Sequence, residues 1–214
     1  MLNKVLEKIK PNEKEREATN KIINEVLKKI NKISKGKAIL GGSGAKETWL
    51  AGTKEMDIFV KFKKDEDISK VLEKELKKKF RIIKLHGSRD YFQVKYKGYT
   101  FEVIPVLDIK KVKDAKNITD ISPFHALWVR KHKKYADDIR LAKQFAKAQN
   151  VYGAESYIKG FSGYVLEILT IHYKGFNNLI RNAVKWKDKV IIDPEKHLKN
   201  PLRELNKAKI LSPL

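Results

Sequence analysis

Hydrophobic positions along this chain recur at two periods, and the switch between them divides the sequence. Over residues 12–34 (NEKEREATNKIINEVLKKINKIS), Ile22, Ile23, Val26, Leu27 and Ile30 fall on one stripe at helical spacing. Asn12, with Glu15 three residues on, marks the start of that helix. Ala38-Ile39-Leu40 is a short apolar run that enters Gly41-Gly42-Ser43-Gly44, which reads as a strand followed by a glycine turn. Residues 55–62 (EMDIFVKF) alternate, with Met56, Ile58 and Val60 on one face, as a strand requires. Helical spacing returns over 66–80. Residues 81–85, 90–96 and 99–107 read as strands, the last two joined through a tight turn at Lys97-Gly98. The first 110 residues therefore predict a mixed sheet flanked by helices.

After Asp108 the spacing is helical. Helices are predicted over 122–133, with Pro123 at an allowed early position, over 137–149, over 163–173 and over 177–184. Val190-Ile191-Ile192 predicts a short strand closed by Asp193-Pro194, and 201–214 predicts one basic helix with a tail. The fold class is α+β, divided as a sheet domain over 1–112, a helical domain over 113–186 and a short basic segment over 187–214.

Composition narrows the chemistry. Hydrophobic residues make up 42% of the 214, enough for a core. The formal net charge is +22, which predicts a polyanionic partner, nucleic acid before anionic membrane. No apolar run is long enough to span a bilayer, and the opening MLNKVLEKIK lacks a signal-peptide core, so no membrane partner is expected. Cysteine is absent, which excludes disulfides, thiolate metal sites and Cys nucleophiles and fits a reducing cytosol. The five His residues show no ligand-type spacing, so a zinc site is not expected.

The acids carry the sharpest signal. Glu55 and Asp57 stand two apart on a predicted strand, so both carboxylates project to one face while Met56 and Ile58 turn to the other. Glu102 is isolated in the same way between Phe101 and Val103. Paired carboxylates repel unless a cation holds them, and a hard ion such as Mg²⁺ suits their oxygens. Taken alone, the E-x-D pattern is more commonly that of a solvated sheet face. The glycine turn at 41–44 can present backbone N–H groups to phosphate, with the Ser43 hydroxyl and the Lys46 charge beside it, although it does not match a Walker A loop.

The order of glycine-serine turn, E-x-D and a third acid on a hairpin strand resembles the polymerase-beta-like nucleotidyltransferase fold. GGSGAKETWLAGTKEMDIFVKF (41–62), FEVIPV (101–106), SPFHALWV (122–129) and RLAKQFAKAQNVYGAESYIKGFSGY (140–164) resemble the archaeal, class I, CCA-adding tRNA nucleotidyltransferases more specifically. The resemblance implies a cytoplasmic enzyme that adds nucleotides from NTPs such as ATP and CTP to an RNA 3′ end, that of tRNA, without a template and with two Mg²⁺ ions. By position, Glu55, Asp57 and Glu102 match the catalytic, metal-binding acids. Gly42, Ser43, Lys46, Ser122, His125, Lys143 and Tyr152 match nucleotide-binding positions, with Gly163 and Tyr164 opening the GFSGY helix. Lys199 falls loosely where the family reads the incoming base. The chain departs from the family in carrying Glu for Asp at 102, one methylene and about 1.5 Å longer, and Lys for Arg at 46 and 199. It also stops where family members continue into domains that grip tRNA, a surface that a homodimer or partner chain would supply. An oligonucleotide or second-messenger synthase of the same fold, or a catalytically decayed RNA-binding module, fits the same residues.

Overall fold

The computed structural model describes residues 1–64, 67–154, 157–205 and 207–214. In chain order the elements are α1 (Leu2–Ile9), α2 (Glu13–Ile33), β1 (Lys37–Leu40), α3 (Gly42–Lys46), β2 (Glu55–Phe62), α4 (Ile68–Leu76), β3 (Ile82–Leu85), β4 (Tyr91–Tyr96), β5 (Tyr99–Leu107), α5 (Ser122–Lys131), α6 (Ala136–Ala148), α7 (Gly163–His172), α8 (Phe176–Ala183), β6 (Ile191–Ile192), α9 (Pro201–Glu204) and β7 (Lys209–Ile210). They form two compact units, Pro11–Leu127 and Met1–Lys10 together with Trp128–Leu214. These cuts differ from the sequence division at 112 and 186: the first ten residues group with the C-terminal unit, and the remaining boundary falls inside α5.

In the first unit the strands form one sheet in the order β1-β2-β5-β4-β3. β2 and β5 run parallel, and every other pairing is antiparallel, so the sheet is mixed as expected. Alternation decides which face is buried. Met56, Ile58 and Val60 of β2, Phe92 and Val94 of β4, and Phe101 and Val103 of β5 form a core with Ile23, Val26 and Ile30 of α2 and Leu72 and Leu76 of α4. Asn12 caps α2 by accepting from the Glu15 N–H at 2.9 Å, the cap the sequence signals. Lys97 and Gly98 take φ of 47° and 77°, the two left-handed residues that a two-residue hairpin turn requires. The helix expected over 66–80 spans Ile68–Leu76 behind an Asp67 cap; its expected first residue, Glu66, lies outside the described residues.

The second unit is helical. α1 presents Leu2, Val5, Leu6 and Ile9 to a cluster built on Leu141, Leu169, Phe176 and Leu179, and Lys10 pairs with Asp137 at 2.9 Å. The helix and tail expected over 201–214 are corrected here. The helix is the single turn of α9, and the chain then extends into β7, which lies parallel to β6. Pairing satisfies the Lys209 and Leu211 N–H groups on the Val190 and Ile192 carbonyls and packs Ile210 against the helices, whereas a basic helix here would leave that residue in water. Among the described residues no helix is long and apolar enough to cross a membrane.

Candidate active site

The carboxylates meet through register. Asp57 of β2 lies directly across from Glu102 of β5, and Glu55 lies across from Thr100. Partners in register share a face, and neighbouring strands are about 4.8 Å apart. Glu55, Asp57 and Glu102 therefore stand together on the face opposite the helical core. Glu55 is exposed, and Asp57 and Glu102 are half-buried.

The glycine turn closes on this face. The Gly41 N–H donates to the Asp57 carbonyl at 2.8 Å. Gly42 has φ +49°, and a Cβ there would stand 1.5 Å from Asp57 Oδ2, so the turn approaches the carboxylate as only glycine allows. Ser43 follows, half-buried, in the short helix α3, and Lys46 closes that helix with its side chain buried. Trp49 belongs to the core.

On the other side of Glu102 stands β4. Gln93 lies across from Glu102 in register and donates its amide Nε2–H to Glu102 Oε1 at 3.2 Å. Tyr91 shares that face. Burial, together with the nearby Glu102 and Asp57 charges, pushes its phenol above the ordinary tyrosine range. Among the described residues, no three acidic or histidine side chains are drawn into a ready-made ion cage. The three acids still offer only hard oxygen donors on one face, and a neutral amide holds one oxygen of Glu102, so the donor set fits a divalent cation of the Mg²⁺ type.

Ser122 and His125, both half-buried, lie on the first turns of α5. Asp120, fully buried, positions that helix start. Its carboxylate accepts from the backbone N–H of Leu107 (2.8 Å), Lys116 (3.2 Å) and Asn117 (3.0 Å) and pairs with Arg89. Burial opposes its ionisation, but Arg89 and these N–H groups outweigh burial and hold the carboxyl below its usual range. The sequence reading passed over Asp120. The signal was there: Asn117 and Asp120 form a capping box, spaced as N-x-x-D.

The remaining candidates belong to the helical unit. Lys143 of α6 is buried, with Nζ 2.7 Å from the buried Glu167 Oε1 of α7. Arg140, one turn earlier, is also buried and pairs with Asp137 at 2.7 Å. Neither is the solvated helix charge that isolated lysines and arginines suggest. Tyr152 forms a bridge with Phe161, and a Cβ on Gly163 would stand 2.8 Å from its hydroxyl, which accounts for glycine at the start of α7. Ser162 caps that helix at the Val165 N–H, and burial pushes the Tyr164 phenol up to about 12. Lys199 is exposed, just before α9.

Residues 20–125 match the model of the nucleotidyltransferase domain, and 137–213 match that of the second domain of tRNA nucleotidyltransferase. Across 183 residues, 82% of this chain and 46% of the relative, the sequence is 49% identical to a CCA-adding enzyme of Nanoarchaeum equitans. It is 36% identical over 211 residues to the CCA-adding enzyme of Sulfolobus acidocaldarius, with 94% of this chain and 50% of that one covered. The chain belongs to the archaeal-type tRNA nucleotidyltransferases. It spans about half the length of the curated members of this family that it matches. Solved structures agree on the fold. The Cid1 poly(U) polymerase superposes with a TM-score of 0.63 at 16% identity, covering 80% of this chain and 53% of that one. CdnC of E. coli MS115-1, in a complex with HORMA-deltaN, gives 0.67 at 14%, covering 97% and 78%. The nucleotidyltransferase-domain match ends within α5, at His125, and the second-domain match begins at Asp137 in α6.

Proposed function

We propose that this protein is a cytoplasmic, Mg²⁺-dependent RNA 3′-end nucleotidyltransferase. It adds nucleotides from ATP, CTP or another NTP to tRNA or a tRNA-like acceptor without a nucleic-acid template. The observation that carries this reading is the register of Asp57 with Glu102, with Glu55 beside them and the glycine turn closed against Asp57.

In the reaction, the RNA 3′-oxygen bonds to the α-phosphorus of the NTP, pyrophosphate leaves and the hydroxyl proton is released. Glu55, Asp57 and Glu102 would hold the divalent ions, two in our reading, which when bound acidify the 3′-hydroxyl and neutralise charge on the triphosphate. The rest is positioning, the main contribution a protein makes to phosphoryl transfer. Gly42 brings the turn against Asp57 and fixes that carboxylate. Ser43 offers a hydroxyl, and the turn its N–H groups, to phosphate oxygens, with Lys46 adding charge. Asp120 sets the start of α5 and so orients Ser122 and His125 toward the nucleotide sugar. Lys143 and Tyr152 contribute to triphosphate binding from the helical unit, Lys143 through an ammonium that Glu167 orients, and Lys199 contributes to base choice. The surplus of positive charge draws the RNA backbone.

The test incubates the protein with Mg²⁺ and each NTP in turn, once with tRNA lacking its CCA end and once without RNA. Extension of the tRNA by a few nucleotides, lost in Asp57→Asn, supports the reading. Products formed without RNA identify a synthase instead. RNA binding with no incorporation overturns the enzymatic reading.

A further inference from the structure

Asp57 and Glu102 face each other across paired strands, yet they are held by different means. Asp57 is wedged by backbone: the Gly41 N–H fixes its carbonyl and the Gly42 turn leaves its carboxylate little room. Glu102 has no such wedge, and its longer side chain turns about three bonds. Its orientation comes from the next strand. Gln93 is the register partner of Glu102 on the side away from Asp57, and its Nε2–H bonds to Oε1 at 3.2 Å. A carboxylate only accepts, so the amide must present its NH₂. Among the described residues, Oε2 makes no hydrogen bond. One oxygen is tethered toward β4 while the second remains available on the shared face.

We propose that Gln93 is a positioning residue: it tethers Glu102 through Oε1 so that the carboxylate joins Glu55 and Asp57 in binding a divalent cation. This rests on the metal-dependent reading above. It makes a demand that simple strand pairing does not: Gln93 matters only while residue 102 is long enough to reach it. Aspartate at 102 is one carbon short of the amide, so Gln93 loses its effect there.

The experiment measures Mn²⁺ binding to the full chain alone by electron paramagnetic resonance, with no nucleotide or RNA present. It compares wild type with Gln93→Ala, the near-isosteric Gln93→Met, Glu102→Asp, the Gln93→Ala/Glu102→Asp double variant and Asp57→Asn. Both Gln93 variants should bind Mn²⁺ about tenfold more weakly, the usual cost of removing a residue that orients a metal ligand. In the Glu102→Asp background the same alanine should change affinity less than about twofold. Nucleotide incorporation by Gln93→Ala should recover at saturating Mn²⁺, a shift in metal requirement and not in maximal rate. Thermal melts report whether each variant folds, and the methionine variant keeps the strand surface intact where alanine does not. Unchanged Mn²⁺ affinity in both Gln93 variants overturns the proposal, as does an equal loss with Asp at 102. If Asp57→Asn leaves Mn²⁺ binding intact, the ion is not at these carboxylates and the functional reading falls as well. If Asp57→Asn abolishes binding while the Gln93 variants match wild type, only the role of Gln93 falls.

Discussion

Gly42→Ala separates the geometry of the site from the stability of the fold. The position has φ +49°, and an added Cβ stands 1.5 Å from Asp57 Oδ2 and 2.6 Å from Cγ. Ordinary contact is at about 3.5 Å, so turn and carboxylate must part by about 2 Å. The left-handed backbone costs an L-residue about 1–2 kcal/mol. In a chain of this size that lowers the melting temperature by roughly 2–8 °C. The catalytic cost is larger, since displacing a reacting group by about 1 Å lowers the rate by about a hundredfold. Gly52 supplies the control. It has φ +78° with nothing within 4 Å of an added Cβ, so Gly52→Ala carries the strain without the collision. Thermal melts and RNA-primed nucleotide incorporation on both variants decide the matter. Gly42→Ala should melt below Gly52→Ala by the cost of the collision, about 1–3 kcal/mol, and it alone should lose incorporation by about a hundredfold or more. Equal incorporation by the two variants would refute the claim that the turn positions Asp57.

Two further perturbations test the clamps around the site. Asp120→Asn leaves Arg89 without its buried counter-charge and should cost about 3 kcal/mol at neutral pH, read from urea midpoints. The Asp120 carboxyl is held below its ordinary 3.8, so its contribution is present above about pH 4 and fades as pH falls through the lower folded-state value. The gap between wild type and Asp120→Asn should accordingly shrink in acid; a gap that is constant with pH would show that the charge of Asp120 is immaterial. Lys143→Met removes the 2.7 Å ammonium contact of the buried Glu167 carboxylate and should destabilise by about 3 kcal/mol, whereas Lys143→Met/Glu167→Leu should recover most of that stability. Recovered stability without recovered incorporation would show that the Lys143 ammonium serves substrate as well as fold.

The central strands were legible where β2 and β5 bury one face and leave their acids on the other. Met56 and Ile58 alternate with Glu55 and Asp57, and Phe101 and Val103 alternate with Thr100 and Glu102, so two-residue periodicity marks both strands and the side on which their acids stand. The Lys97-Gly98 hairpin was legible through its turn chemistry. The C-terminal stretch was not. Pro201–Glu204 does begin a helix, but nothing local reveals that 209–210 will pair with strand residues near 191, because pairing partners distant in sequence leave no trace in periodicity. The state of Lys143 was hidden for a similar reason. A lysine on an amphipathic helix reads as solvated until the helix carrying its carboxylate partner, 24 residues away, is packed against it.

That the three acids share one face follows from how the opposite face is buried. Slipping β5 by one residue against β2 would carry Phe101 and Val103 out of the core and put Glu102 into it, so the hydrophobic core enforces the parity of the pairing. A slip by two residues would keep the parity and yet move Glu102 opposite Glu55 or Phe59. That alternative is opposed at the strand ends. Thr100 N–H bonds to the Lys54 carbonyl and Asp108 N–H to the Phe62 carbonyl, each at 2.8 Å. Leu107 N–H is taken by Asp120, which also collects the backbone of Lys116 and Asn117 and the Arg89 guanidinium. A two-residue slip would strip a fully buried carboxylate of the Leu107 N–H, one of its donors. A carboxylate that touches no other acid of the site thereby helps fix which residues Glu102 faces, and the geometry of the shared face depends on the stability of the clamp at the far end of β5.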